Sequence, residues 1–282
     1  MYTQHLSAEH ITAQVKELPA LPEIVTELVR LMDDDGISGE VLADRLAKDP
    51  GLSAKALRLA NSSFYGLSRQ IHSIPDALQM LGRRTVGLLV LAAAASDTIK
   101  VRPRTGFEPR IFWRHALGAA LAGQAVARTQ HINPDLGFTV GLLHDIGQLA
   151  LACIVPERLA AVVDYKLTND CINIEAEQAV LGTDHTIVGA LLAERWQFSP
   201  QVVEAITSHH APTIRPGPNL ASVAHLADAI SHALGLSGDG DEAVPPTPPD
   251  VWAVIAPSNE ACLQIFADLE RQFDGVCSAL HI

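Results

Sequence analysis

Aromatic residues make up only 5% of this 282-residue chain. Sheet cores draw on aromatic and β-branched side chains, so their scarcity beside abundant Ala and Leu predicts helices. Charged residues are also sparse, 18% against 48% hydrophobic, which excludes a disordered chain. The only cysteines are Cys153, Cys171, Cys262 and Cys277, with no CxxC pair. They read as small buried hydrophobes in a reducing cytoplasm, not as a disulfide frame or zinc knot. No apolar run stands out as a membrane span: the greasiest segment, Val86 to Ala95, is half the roughly 20 residues required. The start, Met1 to Ser7, has neither a basic cluster nor an apolar stretch, so no signal peptide is expected. A cytoplasmic protein making no membrane contact is the expectation.

Basic residues fall short as well, 20 against 32 acidic, a net charge of −12. The deficit is local. Residues 1–105 carry twelve of each sign, whereas residues 106–282 carry eight basic and twenty acidic side chains and nine of the twelve histidines. The change falls at Val101-Arg-Pro-Arg-Thr-Gly-Phe-Glu-Pro109, a stretch with no apolar period. An all-α protein of two lobes is predicted, residues 1–105 and residues 106–282. The acidic second lobe should repel nucleic-acid backbones and attract cations.

Short punctuated helices fill the first lobe. Pro22 opens one carrying Ile24, Val25, Leu28, Leu31 and Met32, stopped at Asp33-Asp-Asp-Gly36. Ser38 caps a second with Val41, Leu42 and Leu46, and Asp49-Pro50 opens a third with Leu52, Ala56, Leu57 and Ala60. Asn61-Ser-Ser-Phe-Tyr-Gly66 reads as a loop, Ser73-Ile-Pro-Asp as the cap of a helix ending at Gly82, and Arg84 to Thr98 as a buried helix. Leu42 to Leu59 has the outline of a helix-turn-helix, with Arg45, Lys48, Lys55 and Arg58 as its positive charge. The lobe is neutral, however, and Pro stands where that motif prefers a Gly-containing turn, so packing is favoured over DNA binding.

The second lobe carries the chemistry. His115 lies on an Ala-rich helix running to Gln130, and His144-Asp145 is set in the apolar Gly141-Leu-Leu-His-Asp-Ile-Gly. His185 precedes a helix, His209-His210 ends one, and His225 and Asp228 share a face of the next. Taken singly, each has an ordinary explanation: a surface imidazole, a helix-end charge, or a His225–Asp228 pair. His131, His232 and His281 read as solvated or capping residues. Buried among Ala and Leu, imidazoles and carboxylates need partners, and a divalent first-row ion (iron, manganese, nickel or zinc) supplies one. Adjacent residues on a helix diverge by about 100°, so His144 and Asp145 would bind one ion from two sides or bridge two.

The order of these residues resembles that of a known family. Leu18-Pro-Ala-Leu-Pro22, Asp49-Pro-Gly-Leu-Ser53, Leu59-Ala-Asn-Ser-Ser-Phe-Tyr-Gly66 and Ile74-Pro-Asp-Ala-Leu-Gln-Met-Leu-Gly82, followed by the histidine series, resemble the HDOD family. These proteins are helical relatives of the HD metal-dependent phosphohydrolases. The resemblance implies a bacterial signalling role through contacts with other signalling proteins. It also implies a metal site of one or two ions built from His115, His144, Asp145, His185, His209, His210 and Asp228, with Asp145 able to bridge. Many HDOD proteins lack several of these groups; here the series is complete. Were the site catalytic, Asp145 would stand at its centre, acting on a nucleotide or phosphoester.

The enzymatic HD-GYP pattern has HDxGK, and Gln148 stands in place of that Lys; an amide gives a phosphoryl oxygen no positive charge. Ala211-Pro-Thr-Ile-Arg-Pro follows His210 without the Gly-Tyr-Pro segment, leaving Arg215 as the only nearby basic side chain for a phosphate. Ser237 to Pro249 is an acidic, turn-rich linker without a calcium-loop register. A last helix over Ser258 to Leu280 carries Cys262, Ile265, Phe266, Leu269, Phe273 and Val276 on one face. The leading expectation is a regulatory module with a retained metal site, ahead of a metal-dependent phosphohydrolase and then a DNA-binding regulator.

Overall fold

Prolines and small polar side chains start most of the helices. In the computed structural model, Ser7 accepts a hydrogen bond from the His10 amide at the head of α1 (Ala8–Glu17). Pro50 starts α2 (Pro50–Ala60), and Ser73 caps α3 (Ile74–Leu81), which stops at Gly82 with φ 83°. α4 (Arg83–Thr98) follows, then α5 (Pro109–Thr129). Asn133 caps α6 (Pro134–Leu143), and α7 (Ile146–Ile154) and α8 (Pro156–Asn169) come next. Beyond α9 (Asn173–Leu181), Asp184 caps α10 (His185–Arg195) by accepting from the Thr186 and Ile187 amides. α11 (Pro200–Ser208) leads to α12 (Leu220–Ala233), where Asn219 and Ser222 form a reciprocal capping box. α13 (Pro249–Ile255) and α14 (Asn259–Leu280) complete the series. The fold is all-α, with no strand among the described residues.

The structure describes residues 5–23, 25–26, 43–44, 46–61, 70–99, 101, 107–214, 217–240, 243–280 and 282. Most of the expected helices over Ile24–Met32 and after Ser38, together with Arg45, most of the loop after Asn61, Arg215 and His281, lie outside these residues.

Two compact units result, residues 1–19 with 99–261, and residues 20–98 with 262–282. This division departs from the expected one at both chain ends. Residues 1–19 join the histidine-rich unit because Ile11 and Val15 are buried there and backbone carbonyls anchor the segment. Arg195 donates to the Val15 carbonyl at 2.5 Å, Trp196 Nε1 to the Pro19 carbonyl at 3.3 Å, and the Leu6 amide to the Leu181 carbonyl at 2.8 Å. Most of α14 belongs to the other unit, its Ile265, Leu269, Phe273 and Val276 buried as the expected face.

In the histidine-rich unit, α12 is the central element, with every residue from Leu220 to Ser231 buried. α5 packs on α6 and α12, and α7 on α10. These contacts depend on glycine. A Cβ on Gly141 would strike the Ala119 carbonyl of α5, and one on Gly147 would strike the His185 carbonyl and come within 2.7 Å of the Gly189 amide. Pro134–Ile154 is apolar and long enough to cross a membrane by length and composition, a longer stretch than the expected Val86–Ala95. An 18-residue window of it is 83% buried, and it breaks at His144-Asp145 between α6 and α7.

Candidate metal centre

All seven sequence candidates in the histidine-rich unit come together. His115 projects from the middle of α5, and Asp228 from α12. His144 closes α6 and Asp145 begins α7, so the pair occupies a joint between two helices instead of one continuous turn. His185 is the first residue of α10, while His209 and His210 follow α11. His144 and His209 are fully buried, His185 is 1% exposed and Asp145 7%; His210 is half-buried.

Asp145 holds the middle. Its Oδ1 lies 3.2 Å from His185 Nε2 and 3.6 Å from His209 Nε2, and its Oδ2 lies 3.5 Å from His144 Nε2 and 3.8 Å from His115 Nε2. Each carboxylate oxygen therefore faces its own pair of imidazoles. His210 Nε2 lies 3.0 Å from His185 Nε2 on one side, and His115 Nε2 lies 3.2 Å from His144 Nε2 on the other. Asp228 Oδ1 is 3.1 Å from His115 Nε2 and 3.5 Å from His144 Nε2.

The far ring nitrogens fix what points inward. His144 Nδ1 lies 2.8 Å from the Gly141 carbonyl, and His209 Nδ1 lies 2.8 Å from the Ile206 carbonyl. His185 Nδ1 lies 2.6 Å from Glu177 Oε2, which also accepts from the His185 amide at 2.8 Å. Carbonyls and carboxylates carry no proton, so each Nδ1 must donate, and in the neutral ring Nε2 then presents a lone pair to the Asp145 carboxylate. Lone pairs facing lone pairs in a dry site call for positive charge between them, a proton on the ring or a metal ion in its place. An ion bound at about 2.0–2.2 Å sets neighbouring ligand atoms about 3.0–3.6 Å apart, which matches most of these separations. Histidine ligands that donate their other N–H to carbonyl or carboxylate are also the usual second layer of a metal site.

The charge balance says the same. Burial opposes the charged forms, yet the His144 and His185 imidazoles hold the Asp145 carboxyl well below its ordinary value. Burial likewise lowers His185, but the Glu177 and Asp145 carboxylates outweigh it and raise the group to about 9. His144 rises for the same reason, through Asp145 and Asp228. His209 and His210 go the other way: burial and neighbouring imidazoles depress both, His210 to about 3. The site thus draws in positive charge while keeping two of its imidazoles unprotonated.

Two groups, Glu177 and His232, escaped sequence reasoning, and the bond of Gln148 to Asp145 adds a role to a residue already singled out. Glu177, 2% exposed, orients His185; it was visible only as a carboxylate in the helix before a candidate ligand. His232 is only partly solvated: its Nε2 lies 3.2 Å from Asp228 Oδ1 and its ring centroid 4.4 Å from that of His115. The i, i+4 spacing from Asp228 was the available signal. Gln148 donates from Nε2 to Asp145 Oδ2 at 2.7 Å, steadying the carboxylate. His225 turns to the His209 carbonyl at 2.8 Å in place of the expected Asp228. His131 is exposed in a turn after α5, as expected. Arg215, the candidate phosphate contact, lies outside the described residues.

Residues 18–212 match the HDOD domain, and the chain belongs to the HDOD family. A protein from Shewanella amazonensis SB2B, provisionally described as a phosphohydrolase, has a similar structure with a TM-score of 0.78 and 27% identity, covering 96% of this chain and 98% of its own. An HDOD domain protein of unknown function from Geobacter sulfurreducens gives a TM-score of 0.75 at 25% identity, over 97% of this chain and 98% of its own. Among curated proteins, an uncharacterised protein of Treponema pallidum (strain Nichols) is 23% identical over 72% of this chain. Ribonuclease Y of Geotalea uraniireducens (strain Rf4) is 26% identical over 58% of it. The chain spans 39% of the former and 23% of the latter.

Proposed function

We propose that this chain is a bacterial cytoplasmic regulatory protein that holds one or two first-row divalent ions and acts through contacts with signalling proteins. The ligands would be His115, His144, Asp145, His185, His209, His210 and Asp228, and the ion iron, manganese, nickel or zinc. The observation that carries the metal reading is the convergence of the His144, His185 and His209 Nε2 atoms on Asp145, with each Nδ1 already committed elsewhere. A regulatory role is supported by how closed the site is. Six of the seven groups are buried and His210 is half-buried, so little of the donor set faces solvent. Gln148 points the same way, since its amide is bonded to Asp145 and brings no charge to a phosphoryl group. Nucleic acid remains disfavoured by the charge balance.

A second reading, a metal-dependent phosphohydrolase acting on a nucleotide or phosphoester, is favoured by one observation. The two oxygens of Asp145 face two separate imidazole groups, the arrangement that two ions bridged by a carboxylate need. Two such ions would supply charge stabilisation and an activated water. Affinity capture with the metal-loaded protein, beside an assay on a panel of nucleotides and phosphoesters, separates the readings. A specific protein partner with no turnover supports the first; metal-dependent turnover without a partner supports the second.

A further inference from the structure

Four of the five residues in Pro245-Pro-Thr-Pro-Pro249 are proline. Proline fixes φ at about −65° and has no amide to donate, so such a run settles into the polyproline II helix. Residues 243–248 accordingly carry no helix or strand, and Pro248 has φ −55° and ψ 141°. That helix repeats every three residues, which places Pro246 and Pro249 on one face, and both are exposed. Pro248 is exposed too, while Pro245 is buried and Thr247 half-buried.

The proline strap is held at both ends. Leu236 and Ser237 are buried before it, and Val251 and Ile255 after it. Gln130 Nε2, at the end of α5, donates to the Ile255 carbonyl at 2.9 Å and so anchors α13. A partner would meet the strap already shaped, with little ordering entropy opposing the contact. Two large apolar side chains lie open on either side of the prolines. Val244 is 53% exposed, and Trp252, whose amide donates to the Pro248 carbonyl at 2.9 Å, is 47% exposed. Ser237-Gly-Asp-Gly240 already supplies the turn residues that a connection from α12 to α13 needs, so the open prolines and tryptophan are surplus to it. The charge nearby is of one sign. Asp239, Asp241, Glu242 and Asp250 flank the prolines, and no Lys or Arg occurs between Arg215 and Arg271.

Resting on the protein-contact reading above, we propose that residues 244–252 are a docking peptide for a partner protein whose groove is lined with aromatic rings and rimmed by Lys or Arg. The rings pack against the ridge of Pro246 and Pro249, and the basic rim meets the acidic flanks. The strap lies in the histidine-rich unit, so one unit carries both the donor set and the contact.

The test uses the full chain with a photo-cross-linking benzophenone amino acid in place of Val244, irradiated in an extract of a bacterium that encodes it. The cross-linked partner segment is expected to carry Trp, Tyr or Phe together with Lys or Arg. A synthetic peptide of residues 243–252 should compete, and its scrambled counterpart should not. Pro246→Ala combined with Pro249→Ala should cut the yield about tenfold at unchanged helical circular dichroism. Pro246→Ala alone supplies the comparison should the double variant lose helicity. Cross-links only to a second copy of this chain, to a surface without aromatic rings, or in equal yield from the proline variant overturn the proposal. So does a partner held by the parent chain with no cross-link from position 244, and the protein-contact reading then stands. A parent chain that captures no partner at all removes that reading itself, and the proposal with it.

Discussion

Glu177 Oε2 receives both the Nδ1 and the backbone amide of His185, at 2.6 and 2.8 Å, from the preceding helix. One buried carboxylate oxygen thereby sets the tautomer, the ring orientation and the backbone position of a candidate ligand. Asn173 Nδ2 holds the other oxygen at 2.8 Å. Glu177→Gln removes the charge but keeps the shape, and is expected to weaken metal binding about 10–100-fold with little change in helical content. Titration with a competing chelator measures it.

Metal loading should release protons. In the metal-free protein His185 is held at about 9, so at pH 7 it carries a proton that the ion must displace; His144 is raised as well, while His210 at about 3 carries none. Calorimetric titration in buffers of different ionisation enthalpy at pH 7 should report about one to two protons released per ion bound. Release should fade above pH 9, where His185 is already neutral. The same shift has a sign for stability without metal. His185 is raised on folding, so its contribution is complete below pH 6.5 and is lost as pH rises through 9.

Removing the ion should loosen the histidine-rich unit, because the native state alone gathers these ligands. At a free ion concentration about 100 times Kd, binding adds about 2.7 kcal/mol, which for a unit of this size corresponds to about 5–10 °C in Tm. Differential scanning fluorimetry with and without chelator reads it.

Gly147 tests the geometry from a distance. It carries no ligand, but a Cβ there would occupy the space of the His185 carbonyl and force α7 from α10. Gly147→Ala is expected to cost about 1–3 kcal/mol in unfolding by denaturant. It should also weaken metal binding, because the displaced segments carry His185 and Asp145.

The ligand positions were legible because side-chain chemistry survives in a sequence: seven imidazoles and carboxylates in apolar surroundings stand out wherever the chain brings them. Helix ends were legible for a similar reason, as Ser73 and Gly82 at the two ends of α3 illustrate. What could not be read depends on distances between remote segments. Nothing local marks Glu177 as the anchor of His185, or Gly147 and Gly189 as the contact between α7 and α10. His232 resembled any helix-end histidine until α5 brought His115 against it. The return of residues 1–19 to the second unit follows from backbone bonds to Arg195 and Trp196, which no composition change could reveal.

The central claim is that Asp145 gathers the imidazoles around divalent ions. Elemental analysis of the purified chain beside Asp145→Asn, after identical loading and removal of free metal, tests it most directly. The account predicts one or two first-row ions per parent chain and a loss of at least one in the variant. Equal metal content in both proteins, with both folded by circular dichroism, would contradict it.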